Sequence, residues 1–368
     1  MSKLSNILKP EINHLTIGDT VELSSGFNST DIGNNLYLIG GSILNKVSYP
    51  DLYSNIGSIN AGSLTPSTVS VNCKGISFGN NTFVLAEFNS KIFTSTNGIV
   101  WNQRTIPTAT FMETLTYGNG LFIYGGWNGT LATSTDGITW TARTSGTAST
   151  IYTITYANGL YLYGTAGGGL ATSTDGITWT ARTSGTTNNI RTISYGNGIF
   201  VYGGSTGTGA TLATSTDGIT WTQRGAGISY SINNIAYGNG KFIWHDGNSK
   251  FITSTDCITN NYISSTDTTA INYISYINGI FIYGANSGKI KTSTDGSSWS
   301  MKPTGISENI NYISYGLSTY SVCAGTTLYT SNDLDTPNYS AYYDVNTQFM
   351  LPLYSDLNST QYVKVKNL

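Results

Sequence analysis

Charged side chains are scarce in this sequence. Only 10% of its 368 residues are Asp, Glu, Lys or Arg, where soluble domains ordinarily hold about a quarter. Seventeen Lys and Arg against nineteen Asp and Glu leave a net charge of −2. A chain without a basic face cannot neutralise phosphates, which excludes nucleic acid as the expected partner, and it gains nothing from anionic lipid. Cysteine is nearly absent: Cys73, Cys257 and Cys323 lie far apart, with no CxxC. That spacing excludes a disulfide framework and a zinc site, and the three read as buried thiols. His14 and His245 are isolated, so neither a metal pair nor a cofactor is expected. No apolar run reaches the roughly 18 residues that a membrane span needs. The opening MSKLSNILKP lacks the roughly 7–15-residue apolar core of a secretory signal. No segment sustains a helical period.

Gly (43) and Tyr (26) are abundant. With Thr and Ile they favour strands and tight turns, and these residues are organised by a repeat. Tyr117-Gly-Asn-Gly-Leu-Phe-Ile-Tyr-Gly-Gly126 followed by Leu131-Ala-Thr-Ser-Thr-Asp-Gly-Ile-Thr-Trp-Thr-Ala-Arg143 recurs over 156–182 and 195–224, with weaker copies at 78–104, 237–260, 276–302 and 315–335. The anchors Trp101, Trp140, Trp179, Trp221, Asn260 (in place of Trp) and Trp299 are spaced 39, 39, 42, 39 and 39 residues apart. Each copy reads as four short strands, with Asn-Gly closing the first hairpin and Asp-Gly the third–fourth turn. Four strands per repeat and seven repeats predict an all-β, seven-bladed β-propeller. The last copy fades after Tyr329, and residues 64–71 are placed to complete it. On the first strand, Leu115, Ile154, Ile193, Ile235, Ile274 and Ile313 alternate with Thr116, Thr155, Ser194, Ala236, Ser275 and Ser314, large against small where blades converge.

The turn Ser134-Thr-Asp136-Gly-Ile-Thr-Trp140 resembles the Asp-box of sialidases and related propellers, one residue shorter here. It recurs at 173–179, 215–221 and 293–299, with Asn97 for Asp in the first copy and Cys257 for Gly in the fifth. Its Asp can accept backbone N–H groups while its Trp packs across the hairpin, which is a fold element and not an activity. Sialidase chemistry needs three convergent arginines. Arg104, Arg143, Arg182 and Arg224 instead share one repeat position, and only Arg191 falls outside it. Glycoside hydrolysis needs two carboxylates within roughly 5–10 Å. The turns consume Asp136, Asp175, Asp217, Asp256 and Asp295, leaving Glu87, Glu113, Asp246, Asp267 and Glu308 scattered over different blades. No catalytic residues are assigned and no enzyme is expected. The stretch from Gly203 to Gly209 joins two strands and opens no helix, so it does not read as a phosphate cradle.

Residues outside the repeat divide the chain into 1–62, 63–336 and 337–368. Gly33-Asn-Asn-Leu36-Tyr37-Leu38-Ile39-Gly40-Gly41 followed by Tyr49-Pro50-Asp51-Leu52-Tyr53-Ser-Asn-Ile56-Gly57 resembles the phage tail-collar domain, with Tyr37 and Ile39 where its pattern has Trp and Cys. Thr347-Gln-Phe349-Met-Leu-Pro352 resembles that domain's T-x-F-x-L-P segment, displaced by the whole repeat region. The resemblance implies one small collar-like domain formed by both termini, with the propeller inserted at a surface loop. It also implies a virion tail location, other tail proteins as partners and a homotrimer. Two unrelated terminal arms are the alternative.

The function expected is recognition of a host-surface receptor, a glycan or a protein, by a phage or phage-like tail fibre. A stand-alone lectin-like propeller and a glycan hydrolase are the other readings. The Asn-Gly and Asp-Gly face repeats almost unchanged and reads as scaffold. The opposite face varies. The residue before the first strand is in turn Lys74, Glu113, Tyr152, Arg191, Asn233, Asn272 and Asn311, expected to ring the channel mouth, with Trp127, Trp244, His245 and Asp246 on second–third loops around it. Drift of solvated loop residues would also give such variation.

Overall fold

The computed structural model describes residues 65–334, apart from 206–208, 229, 246–249, 265–268, 303 and 332–333, and five short strands nearer the termini. The chain divides into two compact units, Gly62–Asp335 and Met1–Ala61 with Thr336–Leu368. In the second of these, Gln361–Lys364 pairs with both Thr20–Glu22 and Leu36–Leu38, and Ile43–Asn45 pairs with Gln348–Met350. The two ends of the chain therefore share sheets.

The larger unit is a seven-bladed β-propeller of four-stranded antiparallel sheets. Blade 2 shows the pattern: Met112–Gly118 innermost, then Leu121–Gly126, Leu131–Ser134 and Thr141–Arg143 at the rim. In blades 2 to 6 the inner hairpins close on Asn-Gly pairs with both φ positive, such as Asn119 (47°) and Gly120 (79°), the turn whose twist matches that of the strands, and blades 1 and 7 make the same turn with Asn80-Asn81 and Leu317-Ser318. Blade 7 takes three strands from the end of the repeat region, Ile310–Gly316, Thr319–Ala324 and Thr327–Ser331, and its rim strand, Thr65–Ser70, from the beginning. The ring is thus closed by strands from both ends, as the fading of the last copy predicts. Pro66, which has no N–H to give, sits in this rim strand, where one edge is free of a ladder.

The core is a series of buried clusters, each shared by adjacent blades. One holds Val84, Ala86 and Ile92 of blade 1 with Met112, Leu115, Phe122 and Tyr124 of blade 2. The large–small alternation of the inner strand is present, with Ile154, Ile274 and Ile313 buried. A second contact carries more of the wedge. The last residue of the inner strand is Gly in blades 1, 2, 4, 5 and 7, and the next blade's aromatic ring lies on it. A β-carbon on Gly118 would stand 2.3 Å from Tyr156, one on Gly238 2.1 Å from Tyr276, and one on Gly316 2.3 Å from Phe78. The last pair joins blade 7 to blade 1, so the seam is packed like the other junctions. No larger residue fits there while the ring keeps its place.

Candidate functional site

Antiparallel pairing puts the start of each inner strand beside the end of the second strand. One face of the ring therefore gathers the inner-strand starts and the second–third loops, and the other gathers the two sets of tight turns. Backbone bonds tie the first pair together: the N–H groups of Phe88, Trp127, Ala166, Asn286 and Gly325 donate to the carbonyls of Asn72, Phe111, Thr150, Ala270 and Asn309 at 2.8–3.0 Å.

Six of the seven residues expected at the channel mouth share a feature that sequence reasoning did not foresee. Lys74, Glu113, Tyr152, Arg191, Asn272 and Asn311 each lie inside the inner strand as the extra residue of a β-bulge. Cys73 pairs with Glu87 and Gly75 with Ala86, leaving Lys74 unmatched. The same skip isolates the other five. A bulge releases one side chain from the alternation of the sheet and re-aims it. These side chains can therefore vary without disturbing the inter-blade core. Asn233 is the exception: it is exposed and precedes the inner strand Ile235–Gly238.

The bulge residues meet across blade boundaries. Lys74 Nζ donates to Glu113 Oε2 at 2.9 Å, and Trp127 Nε1 donates to Glu113 Oε1 at 2.9 Å, so blades 1 and 2 share one carboxylate. Lys74 Nζ also stands 4.8 Å from the ring centre of Phe88. On blades 3 and 4, the Arg191 guanidinium lies 4.9 Å from the Tyr152 ring centre, and its Nε donates to Ser205 Oγ at 3.2 Å. Asn272 Nδ2 donates to Asn286 Oδ1 at 2.9 Å, within its own blade, and to the Ile310 carbonyl of blade 7 at 3.3 Å. Asn311 is half-buried.

Trp127 begins a short 3-10 turn, Trp127–Gly129, in which Asn128 takes φ 56°. It is 41% exposed, as is Phe111. Phe111 and Trp127 pack at 4.8 Å between ring centres, Phe88 and Phe111 stack at 4.6 Å, and Phe88 meets Trp127 edge-on at 6.2 Å. Three aromatic rings, two of them open to solvent, thus stand beside the Lys74–Glu113 pair. Phe88 and Phe111 were missed in the sequence. The available signal was register: Phe88 follows Glu87 in blade 1 as Trp127 follows Gly126 in blade 2.

Two expected site residues fall elsewhere. Trp244 and His245 are not in a second–third loop but in the strand Lys241–His245, and are 0% and 1% exposed. Phe242-Ile-Trp244 is in phase with Phe122-Ile-Tyr124, so Trp244 fills the core position that Tyr124, Tyr163 and Tyr202 fill in blades 2, 3 and 4. Its Nε1 donates to the Ala226 carbonyl at 3.0 Å, as the Tyr163 hydroxyl donates to Ser145 at 2.7 Å. Asp246 lies outside the described residues.

The opposite face is built from self-satisfied turns. In blade 3 the N–H groups of Ile177 and Thr178 donate to Asp175 Oδ1 at 2.8 Å, Ser173 Oγ donates to the same oxygen, and Gly176 N–H donates to Ser173 Oγ at 2.8 Å. The N–H groups of Thr178 and Ile177 hold the Asp175 carboxyl down to about 2, and those of Thr220 and Ile219 do the same for Asp217. Arg104, Arg143, Arg182 and Arg224 each donate through Nε to the third-strand threonine at 2.8–2.9 Å, which makes them rim fasteners within single blades. Among the described residues, no three of His, Cys, Asp and Glu gather to hold a metal ion.

A family model described as the DUF6242 beta propeller domain matches residues 60–189. No curated protein sequence matches the chain. Among solved structures it is similar to YCF48 from Cyanidioschyzon merolae, with 16% identity, TM-score 0.59, 73% of this chain and 98% of that one covered. YCF48 bound to D1 peptide gives 14%, 0.62, 74% and 97%, and the WD40 beta propeller domain of Doa1 gives 9%, 0.61, 73% and 96%. At these identities the likeness is one of fold: the chain carries a β-propeller.

Proposed function

We propose that this propeller is the receptor-binding part of a phage or phage-like tail fibre, and that it recognises a host-surface glycan with its bulged face. The observation that carries the reading is the Phe88–Phe111–Trp127 platform beside the Lys74–Glu113 pair. Exposed aromatic faces stack on the apolar face of a pyranose, while neighbouring amides and charges bond its hydroxyls. The site extends along the bulge residues Tyr152, Arg191, Asn272 and Asn311 and the exposed Asn233. The collar-like motifs at both ends supply the attachment to other tail proteins, as a homotrimer, and the Asp-box-like turns are scaffold. Binding proceeds without turnover, because the turn carboxylates are occupied by backbone N–H groups.

Truncation of an exposed Trp at a binding hot spot costs about 2 kcal/mol, or roughly 30-fold in affinity. Trp127→Ala is therefore expected to weaken adsorption to host cells by about that factor while leaving the thermal transition in place. Asn158→Ser, on the turn face, should bind like wild type. Equal adsorption by Trp127→Ala and wild type, or loss on the turn face alone, defeats the reading. One solved relative carries a peptide, which makes a protein receptor the second reading. A glycan array, set beside whole-cell adsorption, separates the two.

A further inference from the structure

Cys73 and Cys323 are 250 residues apart in sequence, yet they occupy two halves of one repeated contact. In blades 2, 3, 4 and 6 the second strand carries Gly125, Gly164, Gly203 and Gly284, each facing an isoleucine near the start of the next blade. A β-carbon on these glycines would lie 3.1, 2.8, 2.9 and 2.8 Å from the Cβ of Ile151, Ile190, Ile232 and Ile310. Blade 7 has Cys323 in the glycine position, paired with Tyr312 as Gly284 is paired with Tyr273. Blade 1 has Cys73 in the isoleucine position, opening its bulge as Ile310 opens that of blade 7. Both cysteines are buried in one cluster with Val71, Phe83, Trp101 and Leu328.

We infer that Cys73 and Cys323 form a dithiol across the seam of the ring, which a small-molecule disulfide converts into an intramolecular disulfide fastening blade 7 to blade 1. Disulfides need Cβ atoms about 3.5–4.5 Å apart. The repeated contact is slightly tighter than that, so a real pair of β-carbons, easing apart by a few tenths of an ångström, reaches the required range. Burial and the Cys73 sulfur within hydrogen-bonding reach push the Cys323 thiol well above its ordinary value. Reaction in the closed ring is therefore slow and follows transient opening of the seam. One cysteine, as thiolate, attacks the small disulfide and expels one thiolate, leaving a mixed disulfide. The second cysteine, as thiolate, attacks the protein sulfur of that bond and expels the other. Two protein thiols lose two protons and two electrons, and the small disulfide becomes two thiols. Blades 7 and 1 otherwise meet here through non-covalent contacts, the ring of Phe78 on Gly316 and the shared buried cluster, while Thr65–Ser70 pairs with Thr327–Ser331 within blade 7. Cys257 lies in a different cluster, with Phe242 and Trp244, and is an internal control.

The test uses the full chain with oxidised glutathione, in one arm just below the onset of unfolding and in the other during refolding from urea. Remaining thiols are alkylated after denaturation and peptides are mapped without reduction. The expected result is a Cys73–Cys323 link, an alkylated Cys257, and a Tm raised by about 5 °C or more that dithiothreitol reverses. The double variant Cys73→Ile with Cys323→Gly restores the contact of the other junctions and should fold without responding to the oxidant. Three alkylated thiols in both arms, a link through Cys257, or the same rise in Tm in the double variant would overturn the inference.

Discussion

The hydroxyls and the indole at one repeated position fasten blades 3, 4 and 5 to the segments that lead into them. Tyr163 gives its O–H to Ser145, and Trp244 its N–H to Ala226, in both cases to a carbonyl after the preceding blade's rim strand. Tyr124 occupies the same site, but its buried hydroxyl finds no acceptor, and burial pushes its pKa up to about 12. The two tyrosines should therefore respond differently to loss of oxygen. Tyr163→Phe strands a buried carbonyl and is expected to cost about 1–3 kcal/mol, while Tyr124→Phe is expected to be neutral or stabilising, as read from urea unfolding. The same position explains why the candidate site was only partly legible. Trp127 and Trp244 look alike as unique tryptophans near the end of a second strand. Only alignment of Trp244 with Tyr124 shows that one belongs to the core, and alignment of Phe88 with Trp127 that another aromatic belongs to the platform on the bulged face. Composition distinguishes neither, because burial here is decided by a shift of three residues along one strand.

Among the elements, the Asp turn and the bulge divide the work between the two faces. The turn can be read from sequence because every bond is local: Ser, Asp and Gly within four residues satisfy one another. Asn97 in blade 1 accepts the N–H groups of Ile99 and Val100 at 2.9 and 3.0 Å, so an amide holds the same shape without a charge. The pH dependence follows from the other copies. The Asp175 and Asp217 carboxyls are depressed to about 2 in the folded chain, against about 3.9 when unfolded. Their contribution is complete above the unfolded value and lost as pH falls through the folded one. Urea midpoints should therefore decline between about pH 4 and pH 2, and Asp175→Asn should lessen that decline while leaving the fold intact. An unchanged acid slope in that variant would show that the turn carboxylate is not the titrating group. The bulge, by contrast, could not be read from sequence. Its extra residue has no compositional mark, being Lys, Glu, Tyr, Arg or Asn, and is defined only by the pairing of two strands.

For the molecule as a whole, closure is the central fact, and the seven copies with the fading last one make it legible in the sequence. What sequence could not show is that the seam brings Cys73 to Cys323, since proximity across the ring depends on the number of blades and on the curvature of the whole. The rim strand Thr65–Ser70 gives a direct check. A chain of residues 62–335 should melt as one cooperative unit. A chain of 71–335 leaves the edge of Thr327–Ser331 unpaired, and should melt at a lower temperature and self-associate, as measured by calorimetry and light scattering. The register of that seam also sets how the propeller bears load. Thr65 lies opposite Thr330, and Ser70 opposite Thr327, so the chain enters and leaves the ring at the same end of one antiparallel ladder. Tension applied through the two ends would part its hydrogen bonds one after another from Thr65 inward, as a zipper opens, and would not strain them all together in shear. Blade 7 is thus the mechanical fuse of the ring, yielding at low force while the other six blades stay folded.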